Sequence, residues 1–304
     1  MAFLRLLEGL RTPLGDAFFS LITHLGEETL FIVIGLAVYW CVSKRQGIYL
    51  ICVGFLGTVV NQFLKLLFRV PRPWVLDESF TIVESARAEA TGYSFPSGHT
   101  QTSVGIFGCL GYGAKRRWWR AVCVGLCVLV PFSRMYLGVH TPKDVLVSAA
   151  LALVMVFALP PIMDRLLKRK NGMHVLFGAL TALTAAALLF MLCHDYGDVD
   201  AAIYENGLNN AAKILGCFLG VWLGWTLENR HVGFTPEAPV LSQLLKLAGG
   251  MAIVLAIKVL AKAPLLALFG AAPPASGVRY FLIAFFAAGV WPMSFGYLEK
   301  LGRK

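Results

Sequence analysis

Long apolar runs separated by clusters of basic residues are the feature of this sequence that most constrains its fold. Nine such runs lie between charged residues. They cover residues 28–43, 47–68, 98–114, 119–137, 143–162, 173–193, 210–227, 244–268 and 279–298. A helix needs roughly 17–25 apolar residues to cross the hydrocarbon core of a bilayer, and most of these runs have that length. The sequence therefore predicts an all-α fold, a polytopic transmembrane helical bundle of about nine spans.

Composition excludes an ordinary soluble domain. Charged residues make up 14% of the 304-residue chain, against roughly 25% in soluble proteins, and 58% of the residues are hydrophobic. The formal net charge of +10 could indicate a nucleic-acid partner. Basic residues spread between apolar runs are better explained as determinants of membrane orientation, so we expect no nucleic-acid partner. The 7 cysteines form no CxxC pair, so neither a disulfide framework nor a zinc site is predicted.

The basic residues between the apolar runs predict which way the chain crosses the membrane. Five clusters fall on alternate connections and therefore on one side. They are Lys44/Arg45, Lys115/Arg116/Arg117/Arg120, Arg165/Lys168/Arg169/Lys170, Arg230/Lys246 and Lys300/Arg303/Lys304. Because cytoplasmic loops carry the excess of Lys and Arg, that side and the C-terminus are predicted to be cytoplasmic. The connections near residues 69–97, 138–143 and 194–205 then face the extracytoplasmic side of the cell membrane.

The first of three polar clusters lies at the outer end of the second apolar run. Lys65 and Arg72 are seven positions apart, which is close to two helical turns. Both cations are therefore expected to project the same way, where they could bind an anion, and Pro73 is expected to mark the end of the helix. The alternative is that both side chains only anchor the helix end at the membrane surface.

The second cluster, residues 93–100, has the sequence Tyr-Ser-Phe-Pro-Ser-Gly-His-Thr and precedes an apolar run. Ser97 or Thr100 can cap a helix start, and Gly98 allows close backbone approach. Free amides and the positive end of the helix dipole are then expected to point outward and bind phosphate. The alternative is a turn with a helix cap, in which His99 is only a polar residue at the interface.

The third cluster, residues 133–144, contains Arg134, His140 and Asp144. Thr141 and Asp144 have the pattern of a helix start, in which the carboxylate belongs to the cap. His140 precedes Asp144 by four residues, close enough for the carboxylate to accept the imidazole proton and fix the tautomer. A histidine held in this way presents its other nitrogen as a nucleophile or a base.

Taken together, the three clusters resemble the signature of the type-2 phosphatidic acid phosphatase superfamily, which includes lipid phosphate phosphatases, glucose-6-phosphatases and vanadium haloperoxidases. The family pattern is Lys, six residues, Arg-Pro; then Pro-Ser-Gly-His; then Ser-Arg, five residues, His, three residues, Asp. This sequence matches the pattern at Lys65–Arg72–Pro73, Pro96–Ser97–Gly98–His99 and Ser133–Arg134–His140–Asp144. The resemblance covers roughly residues 28–162 and points to the membrane-integrated branch.

The resemblance implies a metal-independent phosphatase with a phosphohistidine intermediate. His140 would attack phosphorus, Asp144 would orient it, and His99 would act as general acid and then as general base for water. The phosphoryl oxygens would be bound by Lys65, Arg72, Ser97, Gly98 and Arg134. No cofactor is expected. No metal site is expected, because the acidic residues of the outer connection have no histidine at a ligand-like spacing and resemble a solvated loop.

The expected substrate is a phosphomonoester or pyrophosphate on a membrane lipid, which apolar helices around the site would admit laterally. Isoprenyl pyrophosphate, phosphatidate and phosphatidylglycerol phosphate are substrates of this type. Two alternatives stay open. One is a sugar phosphate, because glucose-6-phosphatases resemble this chain in their nine spans and their sidedness. The other is a lipid transporter or flippase on the same fold, with residues 173–298 as the translocation path.

Three regions are predicted along the chain: an N-terminal segment at 1–27, a phosphatase catalytic core at 28–170 and a C-terminal extension of four helices at 171–304. The N-terminal segment is expected to form an amphipathic helix in the membrane interface. The extension is interpreted as a surface for packing or for a homodimer. Its Lys258 and Lys262 either reach the membrane surface or contact an anionic lipid headgroup.

Overall fold

The computed structural model describes residues 1–194, 197 and 199–301, and this part of the chain contains helices and no β-strand. The α-helices are α1 (Ala2–Gly9), α2 (Pro13–Thr23), α3 (Glu28–Cys41), α4 (Lys44–Phe68), α5 (Pro73–Leu76), α6 (Gly98–Tyr112), α7 (Arg117–Tyr136), α8 (Pro142–Leu167), α9 (Gly172–Cys193), α10 (Ala201–His231), α11 (Val240–Leu260), α12 (Lys262–Phe269), α13 (Ala272–Phe285) and α14 (Phe295–Leu301). Each apolar run predicted from the sequence is helical, although the run at 244–268 is divided between α11 and α12, and the run at 279–298 continues from α13 through a π turn and a 3₁₀ turn into α14.

Seven helical segments of the described chain are long and apolar enough to cross a membrane. They are Lys44–Leu76, Arg117–Tyr136, Pro142–Leu167, Gly172–Cys193, Ala201–His231, Val240–Phe269 and Ala272–Leu301. The pair Pro13–Gly26 and Glu28–Cys41, bent by 50°, forms an eighth if it counts as one span. The predicted polytopic helical bundle is confirmed, and the chain is a multi-span membrane protein. The count is below the predicted nine because α3 and α6 have only 14 and 15 residues.

The described chain divides into two compact units. The first contains residues 1–32 and 52–160 with the first residues of α10, and it holds all three polar clusters. The second contains residues 33–51, 161–194 and 205–301. The division into three regions at residues 27 and 170 stays a prediction.

In the first unit, the N-terminal segment is helical as expected but consists of two helices. The break between α1 and α2 follows from the sequence, because the Thr12 side chain caps α2 and a proline occupies the first helical position. Polar side chains of α1 contact the connection after α5. Arg5 pairs with Asp77 at 2.6 Å, and the Glu8 carboxylate accepts a hydrogen bond from the Thr81 amide at 2.8 Å. The segment is therefore packed onto the connection at residues 69–97; its place at the membrane interface stays a prediction.

In the second unit, α10 and α13 cross at very close range. Gly216, Gly220 and Gly224 line the contact face of α10, and a Cβ at Gly220 would lie 2.5 Å from the carbonyl oxygen of Phe281. Small residues spaced four apart allow two membrane helices to approach in this way. The C-terminal extension thus has a packed interior of its own.

Lys246 is one of the basic residues used above to predict orientation, and that orientation stays a prediction. It is fully buried in α11 and pairs with Glu299 at 2.9 Å, so it belongs to the packing of the second unit. Other residues in the orientation prediction lie outside the described residues, namely Asp195, Tyr196, Asp198, Arg303 and Lys304. Lys258 and Lys262 are exposed on α11 and α12. Their role and the homodimer stay predictions.

Candidate active site

The three polar clusters come together in the first unit. His140 lies within electrostatic range of four other predicted site residues, Lys65, Arg72, His99 and Arg134. The Ser97 amide, next to Gly98, donates to the backbone carbonyl of Asp144 at 3.2 Å. Five of these side chains are almost inaccessible to solvent: Arg72, Ser97, Arg134, His140 and Asp144. Burying so many polar groups is unfavourable unless they bind one another or a ligand, so the cluster is a candidate site.

The chain reaches Arg72 from Lys65 by a different route from the one predicted. Helix α4 ends three residues after Lys65, Arg69 has a left-handed φ of 49°, and Arg72 is extended. Pro71 and Pro73 account for the break, because a residue that precedes proline is disfavoured in the helical conformation. Pro73 therefore begins the short helix α5, and the two cations come within range of each other through a loop.

Arg72 makes hydrogen bonds to two connections, the one at residues 69–97 and the one at residues 138–143. Its Nη2 and Nε donate to the carbonyl oxygens of Thr91 and Gly92 at 2.8 and 3.0 Å, and its Nη1 donates to the carbonyl of Val139 at 2.9 Å. The Lys65 ammonium donates to the carbonyl oxygen of Tyr93, the residue after Gly92, at 2.7 Å. These bonds fix both cations beside the second and third clusters.

His140 and Asp144 form the expected pair at the start of α8. Nδ1 of His140 lies 3.5 Å from Oδ2 of Asp144. The same oxygen accepts from the Thr141 amide at 2.8 Å and from the Ser94 hydroxyl at 2.5 Å. Asp144 therefore makes the contacts of both roles considered from the sequence, the helix cap and the carboxylate that orients a histidine.

Ser94 is a site residue that the sequence did not reveal. Besides its bond to Asp144, its hydroxyl lies 3.5 Å from Nδ1 of His140. In the sequence Ser94 stands between two aromatic residues, three positions before the helix cap, and no spacing distinguishes it from a turn residue.

The surroundings of His140 leave its Nε2 unprotonated. Nη1 of Arg72 lies 3.0 Å from Nε2, and Nε2 must accept this bond because a guanidinium can only donate. The ring proton then lies on Nδ1, toward Asp144. Burial lowers the pKa of His140 well below its ordinary value, and the charges of Arg72 and Arg134 lower it further. At neutral pH the imidazole is neutral, which is the state that a nucleophile needs.

Helix α6 begins at the second cluster. The hydroxyl of Ser97 accepts a hydrogen bond from the Thr100 amide at 3.4 Å, so Ser97, not Thr100, is the cap. At Gly98 a Cβ would find its nearest atom, Oδ1 of Asn61, 3.9 Å away. Nε2 of His99 is buried and has no hydrogen-bond partner among the described residues. This helix start therefore leaves room for an anion beside its first turn.

Arg134 presents two donor groups to the site. Its Nη1 donates to the Thr23 hydroxyl at 2.7 Å. Its Nε and Nη2 are buried and have no partner within the described part of the chain. These two nitrogens form one edge of the planar guanidinium, and such an edge binds two oxygens of a phosphate. Thr23 was also not predicted, because it lies 111 positions from Arg134 and belongs to no motif.

Two acidic residues of the connection at residues 69–97 pair with arginines. Asp77 contacts Arg5, and Glu84 lies 2.7 Å from Arg87. In the described chain, no group of three or more His, Cys, Asp or Glu side chains is placed to hold a metal ion. These carboxylates therefore have ordinary surface partners.

Comparison with known proteins identifies the family. A model of the PAP2 superfamily matches residues 46–168, which include all three clusters. A second model, described as PAP2 superfamily phosphatase, transmembrane extension, matches residues 212–303. No solved structure gives a significant match.

Three curated relatives illustrate the similarity. Undecaprenyl-diphosphatase BcrC of Bacillus subtilis is 34% identical over 115 residues, which are 38% of this chain and 56% of the relative. A probable sphingosine-1-phosphate phosphatase of Dictyostelium discoideum is 28% identical over 236 residues, or 71% and 56% of the two chains. Phosphatidylglycerophosphatase B of Bacillus subtilis is 28% identical over 161 residues, or 49% and 75%. The chain thus spans little more than half the length of the first two relatives. With two matching models that together cover more than half of its residues, the chain belongs to the PAP2 superfamily, as its three motifs predicted.

Proposed function

We propose that the chain is a phosphatase that hydrolyses a phosphate ester or diphosphate on a membrane lipid. The observation that carries this proposal is the burial of His140 between Asp144 and Arg72. A neutral imidazole held by a carboxylate and placed beside a guanidinium combines a nucleophile with a charge for the phosphoryl oxygens. Membership of the PAP2 superfamily supports the same reaction class.

The first step forms a phosphohistidine. Arg72 and Arg134 bind the phosphoryl oxygens, so Arg72 exchanges its contact with Nε2 of His140 for one with the substrate. The Nε2 lone pair attacks the terminal phosphorus, and the bond from phosphorus to the leaving oxygen breaks; this oxygen is the lipid oxygen of a monoester or the bridging oxygen of a diphosphate. The electron pair of that bond leaves with this oxygen, which takes a proton from His99. Asp144 stabilises the positive charge that develops on the imidazole.

The second step releases phosphate. Water attacks the phosphorus of the phosphohistidine, and His99 removes a proton from this water. The nitrogen–phosphorus bond breaks, its electron pair returns to Nε2 of His140, and inorganic phosphate leaves. Lys65, the Ser97 hydroxyl and the Gly98 amide provide further contacts to the phosphoryl oxygens. Side chains and water are sufficient for both steps.

A lipid substrate is supported by two observations. The site is formed by the end of α4 and the starts of α6 and α8, and α4 and α8 belong to spanning segments, so a lipid can approach from the bilayer. The relatives described above are named for undecaprenyl diphosphate, sphingosine 1-phosphate and phosphatidylglycerophosphate. These names support a lipid carrying either a monoester or a diphosphate.

We further propose that the site faces the extracytoplasmic side and that the C-terminus is cytoplasmic. The support is the position of the basic clusters at residues 44–45, 115–120 and 165–170, which lie at the other ends of the helices that form the site. In a cysteine-free background, a membrane-impermeant thiol reagent is expected to label Glu78→Cys in intact cells and to leave Lys168→Cys unlabelled. The reverse labelling would contradict this orientation.

The activity can be tested with the full chain purified in detergent. Phosphate release is measured from farnesyl diphosphate, phosphatidate, phosphatidylglycerol phosphate and glucose 6-phosphate. His140→Ala is compared with the wild type and with His231→Ala, which removes an exposed histidine of α10. We expect the wild type and His231→Ala to hydrolyse at least one lipid, and His140→Ala to be slower by about 10³-fold or more because it lacks the nucleophile.

Each other outcome contradicts a defined part of the proposal. Turnover of glucose 6-phosphate well above every lipid would favour a sugar-phosphate phosphatase. Equal phosphate release by the wild type and His140→Ala would exclude the phosphohistidine. A cellular phenotype that survives in His140→Ala, despite lost phosphate release, would favour a transporter. EDTA is expected to leave the rate unchanged, and a loss that added divalent metal restores would contradict the metal-free steps.

A further inference from the structure

The end of α2 contacts the candidate site from outside the family-matched residues. Thr23 is the last residue of α2, and residues 24–26 follow it as a single 3₁₀ turn. We call residues 23–26 the Thr23 bend. It lies N-terminal to the segment 46–168 that matches the PAP2 superfamily model. Its contacts with the site therefore come from a part of the chain that the family motifs do not include.

Thr23 selects which edge of the Arg134 guanidinium is available. Its hydroxyl is buried and accepts from Nη1 at 2.7 Å, which engages one of the two N–H groups of that nitrogen and holds the guanidinium plane at this side. The edge formed by Nε and Nη2 makes no hydrogen bond with any described residue. Without the acceptor at Thr23, the guanidinium could rotate about its long side chain. The threonine thus fixes the edge suited to bidentate phosphate binding.

Gly26 brings the same bend against His99. A Cβ at Gly26 would lie 2.9 Å from the backbone oxygen of His99 and 3.1 Å from a methyl group of Val130. Cβ contacts under 3.0 Å essentially never occur, so only glycine fits without a shift of its neighbours. The bend therefore contacts two separate site elements, Arg134 on α7 and the first turn of α6.

Other contacts fix α2 to the helix that carries Arg134. The Thr12 amide donates to the Tyr136 hydroxyl at 3.1 Å, and Nε of Arg11 donates to the Tyr136 carbonyl at 3.0 Å. The rings of Phe19 and Tyr136 lie 4.3 Å apart. Because Tyr136 is two residues from Arg134 at the end of α7, the bend is held in a defined position relative to the guanidinium.

We propose that the Thr23 bend positions the phosphate-binding groups, with Thr23 acting through Arg134 and Gly26 acting through the backbone of His99. This inference rests on the proposed phosphatase function, and it concerns recognition of the phosphoryl group and not of the lipid. Thr23 touches no reacting atom in this scheme and is a positioning residue. A purely structural threonine would instead affect stability and leave phosphate recognition unchanged.

Three variants of α2 test the proposal. Thr23→Val keeps the shape and removes the acceptor, and Thr23→Ser restores a hydroxyl. Ser20→Ala is the matched control, since it removes a hydroxyl of the same helix that pairs with Ser85 in an exposed position. The probe is inorganic orthovanadate, whose affinity is measured from the shift in melting temperature of the purified chain. Turnover of a lipid phosphate gives kcat and KM for the same proteins.

We expect Thr23→Val to weaken orthovanadate binding and lower kcat/KM by about tenfold to a hundredfold, the range for one hydrogen bond to a charged group. Thr23→Ser should recover most of the loss, and Ser20→Ala should match the wild type. If Thr23→Val folds and has unchanged orthovanadate affinity and turnover, the positioning role of Thr23 is refuted. The phosphatase function is not affected by that result as long as the wild type hydrolyses the lipid phosphate. An inactive wild type, indistinguishable from His140→Ala, would instead contradict that function.

Gly26→Ala tests the positioning role of the bend independently, and it serves if Thr23→Val does not fold. The added methyl group must move the bend and the first turn of α6 apart by a few tenths of an ångström. We expect kcat to fall about tenfold or more, because near-attack geometry is sensitive to shifts of this size. A folded Gly26→Ala variant with the kcat of the wild type would overturn the positioning role of the bend.

Discussion

Replacing Asp144 by asparagine separates the two roles that its contacts allow. Asparagine has the same shape, and its carbonyl oxygen can still accept from the Thr141 amide and the Ser94 hydroxyl, which now bond Oδ2 at 2.8 and 2.5 Å. The helix cap is therefore retained. The negative charge facing His140 is lost, and so is its stabilisation of the imidazole when the phosphohistidine forms.

The structure sets the size of the expected effect. Nδ1 of His140 lies 3.5 Å from Oδ2 of Asp144, and Coulomb's law at an effective dielectric constant of about 20 gives about 5 kcal/mol at that distance. Loss of one hydrogen bond to a charged group gives about 1.5–3 kcal/mol as a lower figure. Since about 1.4 kcal/mol corresponds to a factor of ten, we expect Asp144→Asn to lower kcat by about 10²–10³-fold.

The assay compares Asp144→Asn with Thr141→Ala on the same lipid phosphate. Thr141→Ala removes the hydroxyl that accepts from the Asp144 amide at 3.4 Å, while the carboxylate stays. This cap variant is expected to lower stability by about 1 kcal/mol and to change kcat little. Melting temperatures in detergent identify any variant that has not folded.

The opposite pattern would refute the reasoning. If Asp144→Asn kept kcat within about threefold of the wild type, the carboxylate would contribute no more than a weak hydrogen bond. If Thr141→Ala also lost most of its activity, the start of α8 would matter through its conformation. Asp144 would then be a capping residue, and another group would have to stabilise the charge on His140.

Three further predictions concern the pH dependence of activity, the phosphate site and the second unit. Because the pKa of His140 is lowered, kcat/KM should persist below pH 6.5 and fall only as the pH drops through the lowered value; an acid limb at or above 6.5 would contradict a neutral nucleophile. Gly98→Ala should lower kcat/KM about tenfold or more, because the added Cβ fills space beside the helix start where the phosphate is proposed to bind. The melting temperature should not change, because the Cβ fits 3.9 Å from Asn61. Unaltered kinetics would show that the phosphate binds elsewhere. Lys246→Met should destabilise the protein by about 3 kcal/mol in denaturant unfolding, since it leaves the Glu299 carboxylate without its partner, and Lys246→Met/Glu299→Gln should recover part of the loss; a Lys246→Met variant as stable as the wild type would show that the ion pair is dispensable.

Short-range patterns in the sequence predicted much of the candidate site. Ser97 and Thr141 were identified as residues at helix starts, and both caps are present, because a cap depends only on residues within about four positions. The four-residue spacing of His140 and Asp144 likewise fixed their contact at the start of α8. In each case the local backbone conformation determines the geometry, so the sequence contains the information.

The features of the site that were predicted wrongly or not at all depend on a break in a helix and on packing between residues that are far apart in the sequence. The spacing of Lys65 and Arg72 was explained by two turns of one helix, although Pro71 and Pro73 were already present to interrupt it. Ser94 bonds Asp144 from 50 positions away, a contact that depends on how the connections at residues 69–97 and 138–143 pack. Packing of this kind combines many weak preferences, and a single sequence gives no periodic signal for it.

Burial of the Arg134 guanidinium has a free-energy cost that bears on ligand binding. Arg134 is buried with two nitrogens that have no partner among the described residues, and an unpaired buried charge costs several kcal/mol. Asp144, the acidic residue of the site motifs, is engaged by Ser94 and Thr141, and Glu89 and Glu27, which lie within electrostatic range of Arg134, offset only part of this cost. A phosphoryl dianion has both the charge and the oxygen acceptors that the guanidinium edge lacks. Under the proposed phosphatase function, the free-energy cost of burying that edge is offset when the phosphoryl group binds.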